Sequence, residues 1–333
     1  MRTFVKWLKR IGSAIIAVVA ISLSIGFVFE WKSRNEAEKI KATGSFVKVA
    51  NHRLHYYKTG SGGPTVVFET AFDPAGHLQW YNVQKELPTT FTSISYDRAG
   101  ILWSERGDKP KSGEEIAADL HHVLEKANAP KPYIIVGHSF GGTLTRFFID
   151  KYPKDVAGVI FVDSQCPDDK KYLSPELFKM TNQGLPSGLL KFANTFGIAR
   201  LMFKNMFANE KQYEYQNSIM PALLYKSANA VLEEQDQMSS IKKQASKIKS
   251  FGSIPLYILT AADKKRYDSF IKDEKLKEEM LTSWNKMQND FLLLSSDSKQ
   301  ILVPNSGHYI NQEQPKVIRD AINHMVNKIA SSK

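Results

Sequence analysis

Ser139 lies in YIIVGHSFGG, Tyr133–Gly142, where a run of β-branched residues passes through a glycine-flanked turn into the helical pattern FGGTLTRFFIDKYP. At such a strand-to-helix turn a serine hydroxyl is pushed above the sheet edge as a nucleophile, and Gly137 and Gly141 leave room for strand and helix to approach closely. The pattern G-x-S-x-G is weak on its own, since a chain with 19 glycines holds such a match by chance roughly one time in ten. Its placement supplies the specificity. A free serine is a poor nucleophile and needs a base. His308, in VPNSGHYINQEQP, follows the last strand-like run and precedes the last helical pattern, which puts it in a loop at the same sheet edge. His138 adjoins the serine and points elsewhere, His121 and His122 fall on a helix, and His52 and His55 fall in the first hairpin.

The elements that must position these residues follow from patterning. SFVKVANHRLHYYKTG reads as two strands around a turn at Asn51. Buried-strand runs recur at TVVFET (Thr65–Thr70), FTSISYD (Phe91–Asp97), PYIIVG (Pro132–Gly137), GVIFVD (Gly158–Asp163), PLYILT (Pro255–Thr260) and KQILVP (Lys299–Pro304). Helical patterns lie between many of them. SGEEIAADLHHVLEKANAP opens with the capping box Ser112/Glu115, and PKVIRDAINHMVNKIA carries Val317, Ile318, Ala321, Ile322, Met325 and Ile329 on one stripe. Strands alternating with helices predict a mostly parallel sheet covered on both faces. Residues 164–252 contain no strand pattern, only helical stretches rich in Met, Phe, Tyr and Leu, and read as a helical cap over the sheet's C-terminal edge.

The N-terminus is different in kind. Four basic residues in the first ten positions precede Ile11–Phe29, 19 residues without a charge, about enough helix to cross a hydrocarbon core. The mixed charges of EWKSRNEAEKIK follow. The expectation is an uncleaved membrane anchor over residues 1–30, N-terminus in the cytoplasm, then a spacer over 31–44 and a catalytic domain over 45–333 outside the cytoplasm. Secretion after signal cleavage is the main alternative, although its apolar region is usually shorter and no clear A-x-A site lies near Phe29. The 333 residues carry 45 Lys and Arg against 34 Asp and Glu, net +11. With no Arg-rich stripe or aromatic RNA motif, this excess reads as a surface near anionic lipid or cell-wall polymer, not as a nucleic-acid footprint. A single cysteine, Cys166, rules out an intrachain disulfide and a Cys-cluster zinc site. The glycines of GSGGP precede a strand, so no P-loop or dinucleotide fingerprint is present, and the chemistry read here requires no metal or cofactor.

The pieces TVVFETAF, SYDRAGILWS, VGHSFGG, GVIFVDS, PLYILTAAD and SGHYINQEQP, in that order, resemble the α/β-hydrolase family across about Ser45–Lys333. The resemblance implies an α/β fold with an eight-stranded, mostly parallel sheet, helices on both faces and a helical cap insertion. It also implies a Ser, acid, His triad in the order Ser139, Asp263, His308. Asp263 follows PLYILT, where the family's usual glycine-containing turn is Thr260-Ala261-Ala262; Asp163, at the end of GVIFVD, is the alternative acid. The oxyanion hole is expected from the Phe140 amide, directly after the nucleophile at a helix N-terminus, and from the Phe72 amide in the loop after TVVF. In YDRAG, Asp97 and Arg98 are expected to hold the loop.

These readings lead to a serine hydrolase acting on a small-molecule ester or related acyl substrate through an acyl-enzyme on Ser139, most simply a carboxylesterase. Amidase, peptidase and C–C hydrolase chemistry use the same triad. A serine at this turn argues against the carboxylate-nucleophile chemistry of epoxide hydrolases in this fold. A catalytically silent domain that binds an envelope ligand is the reading from a different class.

Overall fold

The computed structural model describes residues 2–108, 111–182, 184, 186–204, 206–207 and 210–331. The chain divides into two units, Met1–Lys41 with Leu185–Asn229, and Ala42–Gly184 with Ala230–Lys333.

The larger unit is built on one eight-stranded sheet: β1 (Ser45–Val49), β2 (His52–Thr59), β3 (Thr65–Glu69), β4 (Ser93–Tyr96), β5 (Tyr133–His138), β6 (Val156–Val162), β7 (Leu256–Ala261) and β8 (Ser298–Val303). Their order is β1-β2-β4-β3-β5-β6-β7-β8. β2 runs antiparallel to both neighbours and every other pairing is parallel. The patterning explains why: central strands such as β5 bury every residue, with Tyr133 and Ile135 packing into one core and Ile134 and Val136 into the other. A strand covered on both faces needs apolar side chains on both. Burying each contributes roughly 1.5–3 kcal/mol.

The helices follow in chain order. α1 (Arg2–Ala37) belongs to the smaller unit. Among the described residues it is the one helix long and apolar enough to cross a membrane, a signature that anchors and signal sequences share. α2 (Tyr81–Gln84), α3 (Gly113–Lys126), α4 (Phe140–Lys151) and α5 (Pro175–Asn182) belong to the sheet's unit. The α3 capping box is formed, with Glu115 N–H donating to Ser112 Oγ and Ser112 N–H donating to Glu115 Oε2. α6 (Ser187–Thr195) and α7 (Ile198–Met202) belong with α1, and α8 (Glu214–Ala245) joins the sheet's unit from Ala230 onward. α9 (Glu274–Asp290), which was not expected from the sequence, connects β7 to β8. α10 (Ile310–Glu313) and α11 (Pro315–Ser331) close the chain. Of the interval expected as a cap, residues 164–184 and 230–252 fall in the sheet's unit. The expected spacer is helical as far as Ala37.

Candidate active site

β5 ends at His138, α4 begins at Phe140, and Ser139 between them is held at φ 50°, ψ −121°. A non-glycine residue there is strained, and the surrounding packing must over-determine it. Both flanking glycines are required. A Cβ on Gly137 would lie 2.7 Å from Thr145 Oγ1, and one on Gly141 would lie 2.4 Å from the Glu69 carbonyl oxygen. Ser139 N–H donates to the Val162 carbonyl at 3.2 Å, which ties the turn to the end of β6.

His308 lies in the loop between β8 and α10, and its Nδ1 is 2.6 Å from Asp163 Oδ2. The acid that meets the histidine is therefore Asp163, a correction to the expected Asp263. Asp163 is the residue after β6, held at φ 43°, fully buried, and its Oδ1 accepts from the Ala261 amide at 3.1 Å and from Trp284 Nε1 at 2.8 Å. Arg266 Nη2 donates to its Oδ2. Burial alone would push this carboxyl up; the Arg266 charge and the His308 hydrogen bond outweigh it and hold the group well below the usual carboxylate range. Asp263 is used otherwise. It caps the short 3₁₀ turn Lys264–Tyr267, its Oδ1 accepting from Lys265 N–H at 2.9 Å, and that turn carries Arg266. Arg266 Nη2 also approaches His308 Nδ1 at 3.1 Å.

Ser139, His308, Arg266 and Trp284 line one cavity of about 480 Å³, together with Leu173, Phe270, Met280 and Met287. Cys166 also faces it, but burial pushes its thiol up to about 11, so it is protonated at neutral pH and is no rival nucleophile. His138 is the elbow's other histidine. Its Nε2–H donates to the His308 carbonyl at 2.8 Å and anchors that loop, while its Nδ1 is buried without a partner among the described residues.

Burial, reinforced by the nearby His308, pushes His138 down to about 3. The folded chain thus refuses a proton that the unfolded chain accepts near 6.5, so unfolding takes up protons between these values and stability rises with pH across that window. His138→Gln, which keeps a donor for the His308 carbonyl, is expected to flatten that slope by up to about 1.4 kcal/mol per pH unit between pH 4 and 6. Urea unfolding of both proteins at several pH values measures it. Parallel slopes would rule the account out.

The loop after β3 carries Phe72, whose ring meets that of Phe140 edge-on at 6.3 Å. Phe140 opens α4, so its N–H is one of those a helix cannot satisfy internally. Arg98 clamps the Phe72 loop from beneath. Its Nη1 donates to Glu69 Oε1 at 2.9 Å and to the Thr70 carbonyl at 2.9 Å, its Nη2 donates to the Ala71 carbonyl at 2.8 Å, and Glu234 closes the other side. Burial opposes its charge, but Glu234 and Glu69 more than offset this and keep Arg98 protonated. Asp97 does similar work next door, accepting from His55 Nδ1 and His77 Nδ1 at 2.8 Å each. Those three residues lie close enough to suggest a metal site. However, both Asp97 oxygens are turned to the imidazoles and His55 Nε2 is 2.7 Å from the Thr43 carbonyl, so the donors satisfy one another. Sequence reasoning missed Arg266 and Trp284; both belong to the unassigned stretch between β7 and β8, and no local pattern marks either.

A mostly parallel sheet bearing a strained serine at a strand-to-helix turn, with a histidine and a buried aspartate beyond the ends of two other strands, defines a class of hydrolytic enzymes. A family model of the alpha/beta hydrolase fold matches residues 64–324, and the chain belongs to that family. It is similar to the uncharacterized protein YqjL of Bacillus subtilis, 21% identical over 277 residues, covering 82% of this chain and 87% of that one. Epoxide hydrolase 1 of Caenorhabditis elegans is 30% identical over 140 residues, covering 40% of this chain and 33% of the relative. Among solved structures, an esterase from Thermogutta terrifontis superposes with a TM-score of 0.60 at 19% identity, covering 86% of this chain and 99% of the esterase, a likeness of fold. The family match and the likeness to an epoxide hydrolase support a hydrolase activity.

Proposed function

We propose that the protein is a serine hydrolase of carboxylic esters or related acyl substrates. The observation that carries this is the 2.6 Å contact between His308 Nδ1 and Asp163 Oδ2, made by a histidine that shares its cavity with the strained Ser139. In this reading His308 Nε2 takes the proton from Ser139 Oγ as the oxygen adds to the substrate carbonyl carbon. The Phe140 and Phe72 amides receive the developing oxyanion. His308 then passes the proton to the departing alcohol, and water, deprotonated by the same imidazole, hydrolyses the acyl-enzyme. Asp163 holds the tautomer with hydrogen on Nδ1 and stabilises the imidazolium. The serine at the turn favours this over epoxide opening, for which the fold uses a carboxylate at that point. Leu173, Phe270, Met280 and Met287 favour an acyl or aromatic substituent in the cavity.

Fluorophosphonate treatment of the full-length protein, followed by mass mapping, is expected to place one adduct on Ser139. p-Nitrophenyl esters of increasing chain length are expected to be turned over, with a length optimum that sizes the cavity. A folded protein that takes no label and hydrolyses none of the esters overturns the proposal and favours a silent ligand-binding domain.

A further inference from the structure

The uncharged run of α1 ends at Phe29, and the next residue, Glu30, is buried in a polar knot. Arg200 of α7 donates from Nε and Nη2 to the two Glu30 oxygens at 2.8 and 3.0 Å. Arg34 donates from Nε to Glu30 Oε1 at 2.9 Å and from Nη2 to the Asn194 carbonyl at 3.0 Å. One turn earlier the backbones meet, because a Cβ on Gly26 would lie 2.6 Å from the Phe196 carbonyl oxygen. The α6–α7 hairpin is thus fastened to the C-terminal end of the apolar run. Between them lies an open groove of about 440 Å³, walled by Leu23, Ile25 and Phe29 on one side and by Phe196, Ile198 and Leu201 on the other.

Depth decides what covers this surface. At 1.5 Å per residue, the α1 positions 22–29 that line the groove reach about 12 Å inward from Glu30. If α1 spans a bilayer with Glu30 at its boundary, the hairpin packed on those positions must share that slab, and interfacial helices bury their apolar faces about 5–10 Å deep. The hairpin's side chains suit that place. Leu189, Phe192, Ile198, Leu201 and Met202 are exposed, continuing the exposed apolar surface of α1, whereas Arg200 turns inward to Glu30. Exposed Lys191 and Lys204 supply positive charge for anionic headgroups.

We infer that the α6–α7 hairpin is a second membrane element, seated in the leaflet around the C-terminal end of α1, with a lipid acyl chain in the groove beside Leu23 and Phe29. This rests on α1 being retained and inserted. The test uses the full-length chain, with Cys166→Ser as background, in phosphatidylcholine–phosphatidylglycerol vesicles. Phe192→Cys and Leu201→Cys carry the fluorophore NBD, with Ile21→Cys as the anchor control and Leu302→Cys, exposed on β8, as the aqueous control. Lipid doxyl-labelled near the headgroup is expected to quench the 192 and 201 positions, and lipid doxyl-labelled deep in the acyl chain the 21 position, each roughly threefold more than 302. Quenching at 21 without quenching at 192 and 201 overturns the hairpin assignment and keeps the anchor. No quenching at 21 overturns the anchor, and this inference with it. Shielding of 192 and 201 from aqueous iodide without doxyl quenching assigns the face to a protein partner and overturns the lipid assignment.

Discussion

Ser139→Ala is expected to lower kcat for ester hydrolysis by about 10⁶-fold, His308→Ala by a similar factor, and the double variant is expected to lose little more. The three expectations belong together because the proposed mechanism makes serine and histidine act as one unit. Without the imidazole the hydroxyl keeps its proton, and without the hydroxyl the imidazole has nothing to activate. What survives is the contribution of binding and of the amides that receive the oxyanion. The serine change removes one oxygen from a half-buried position and leaves the turn's strained backbone to be held by Gly137, Gly141 and the bond to Val162. Near-wild-type melting of Ser139→Ala, measured beside its kinetics, therefore separates loss of chemistry from loss of fold. Substantial turnover by Ser139→Ala would sink the acyl-enzyme reading.

Asp163→Asn is expected to lower kcat by about 10⁴-fold, roughly 5.5 kcal/mol of transition-state stabilisation. Asp263→Asn, by contrast, should leave kcat within about twofold, because changes at exposed caps act through stability by about 1 kcal/mol or less. An amide at 163 can turn its NH₂ toward His308 Nδ1, which leaves the proton on Nε2, where the serine needs an acceptor. It also withdraws the counter-charge from Arg266, which lies against both Asp163 and His308. Because an unpaired buried charge is costly, unfolding must be followed in parallel. Fluorophosphonate labelling should slow in step with turnover, with the folded fraction unchanged at the assay temperature. Equal losses at 163 and 263, or a larger loss at 263, would return the role of the acid to Asp263.

The local parts of this protein were determined by its sequence alone. The β-branched runs with their flanking glycines and prolines, the Ser112/Glu115 cap and the 19-residue uncharged run are short-range signals; the first form strands, the second a helix cap and the third part of one long helix. The placements of Ser139 and His308 were legible for the same reason, since a serine at a strand-to-helix turn and a histidine after the last strand are set by their neighbours in the chain. Which aspartate meets His308 was not. Asp163 and Asp263 follow adjacent parallel strands, and nothing within a few residues of either distinguishes them. Only the fold brings Arg266 and Trp284 from the β7–β8 connection onto Asp163, turns that carboxylate inward at φ 43°, and uses Asp263 to cap the turn that delivers Arg266. Glu69 became interpretable in the same way, once Tyr96 and Arg98 closed around it. The pairing of Glu30 with Arg200, 170 residues apart, was equally beyond any local pattern. A pattern in the chain records what a segment needs in order to form. Which charges meet across a sheet edge depends on register, crossover and burial, and those exist only in three dimensions.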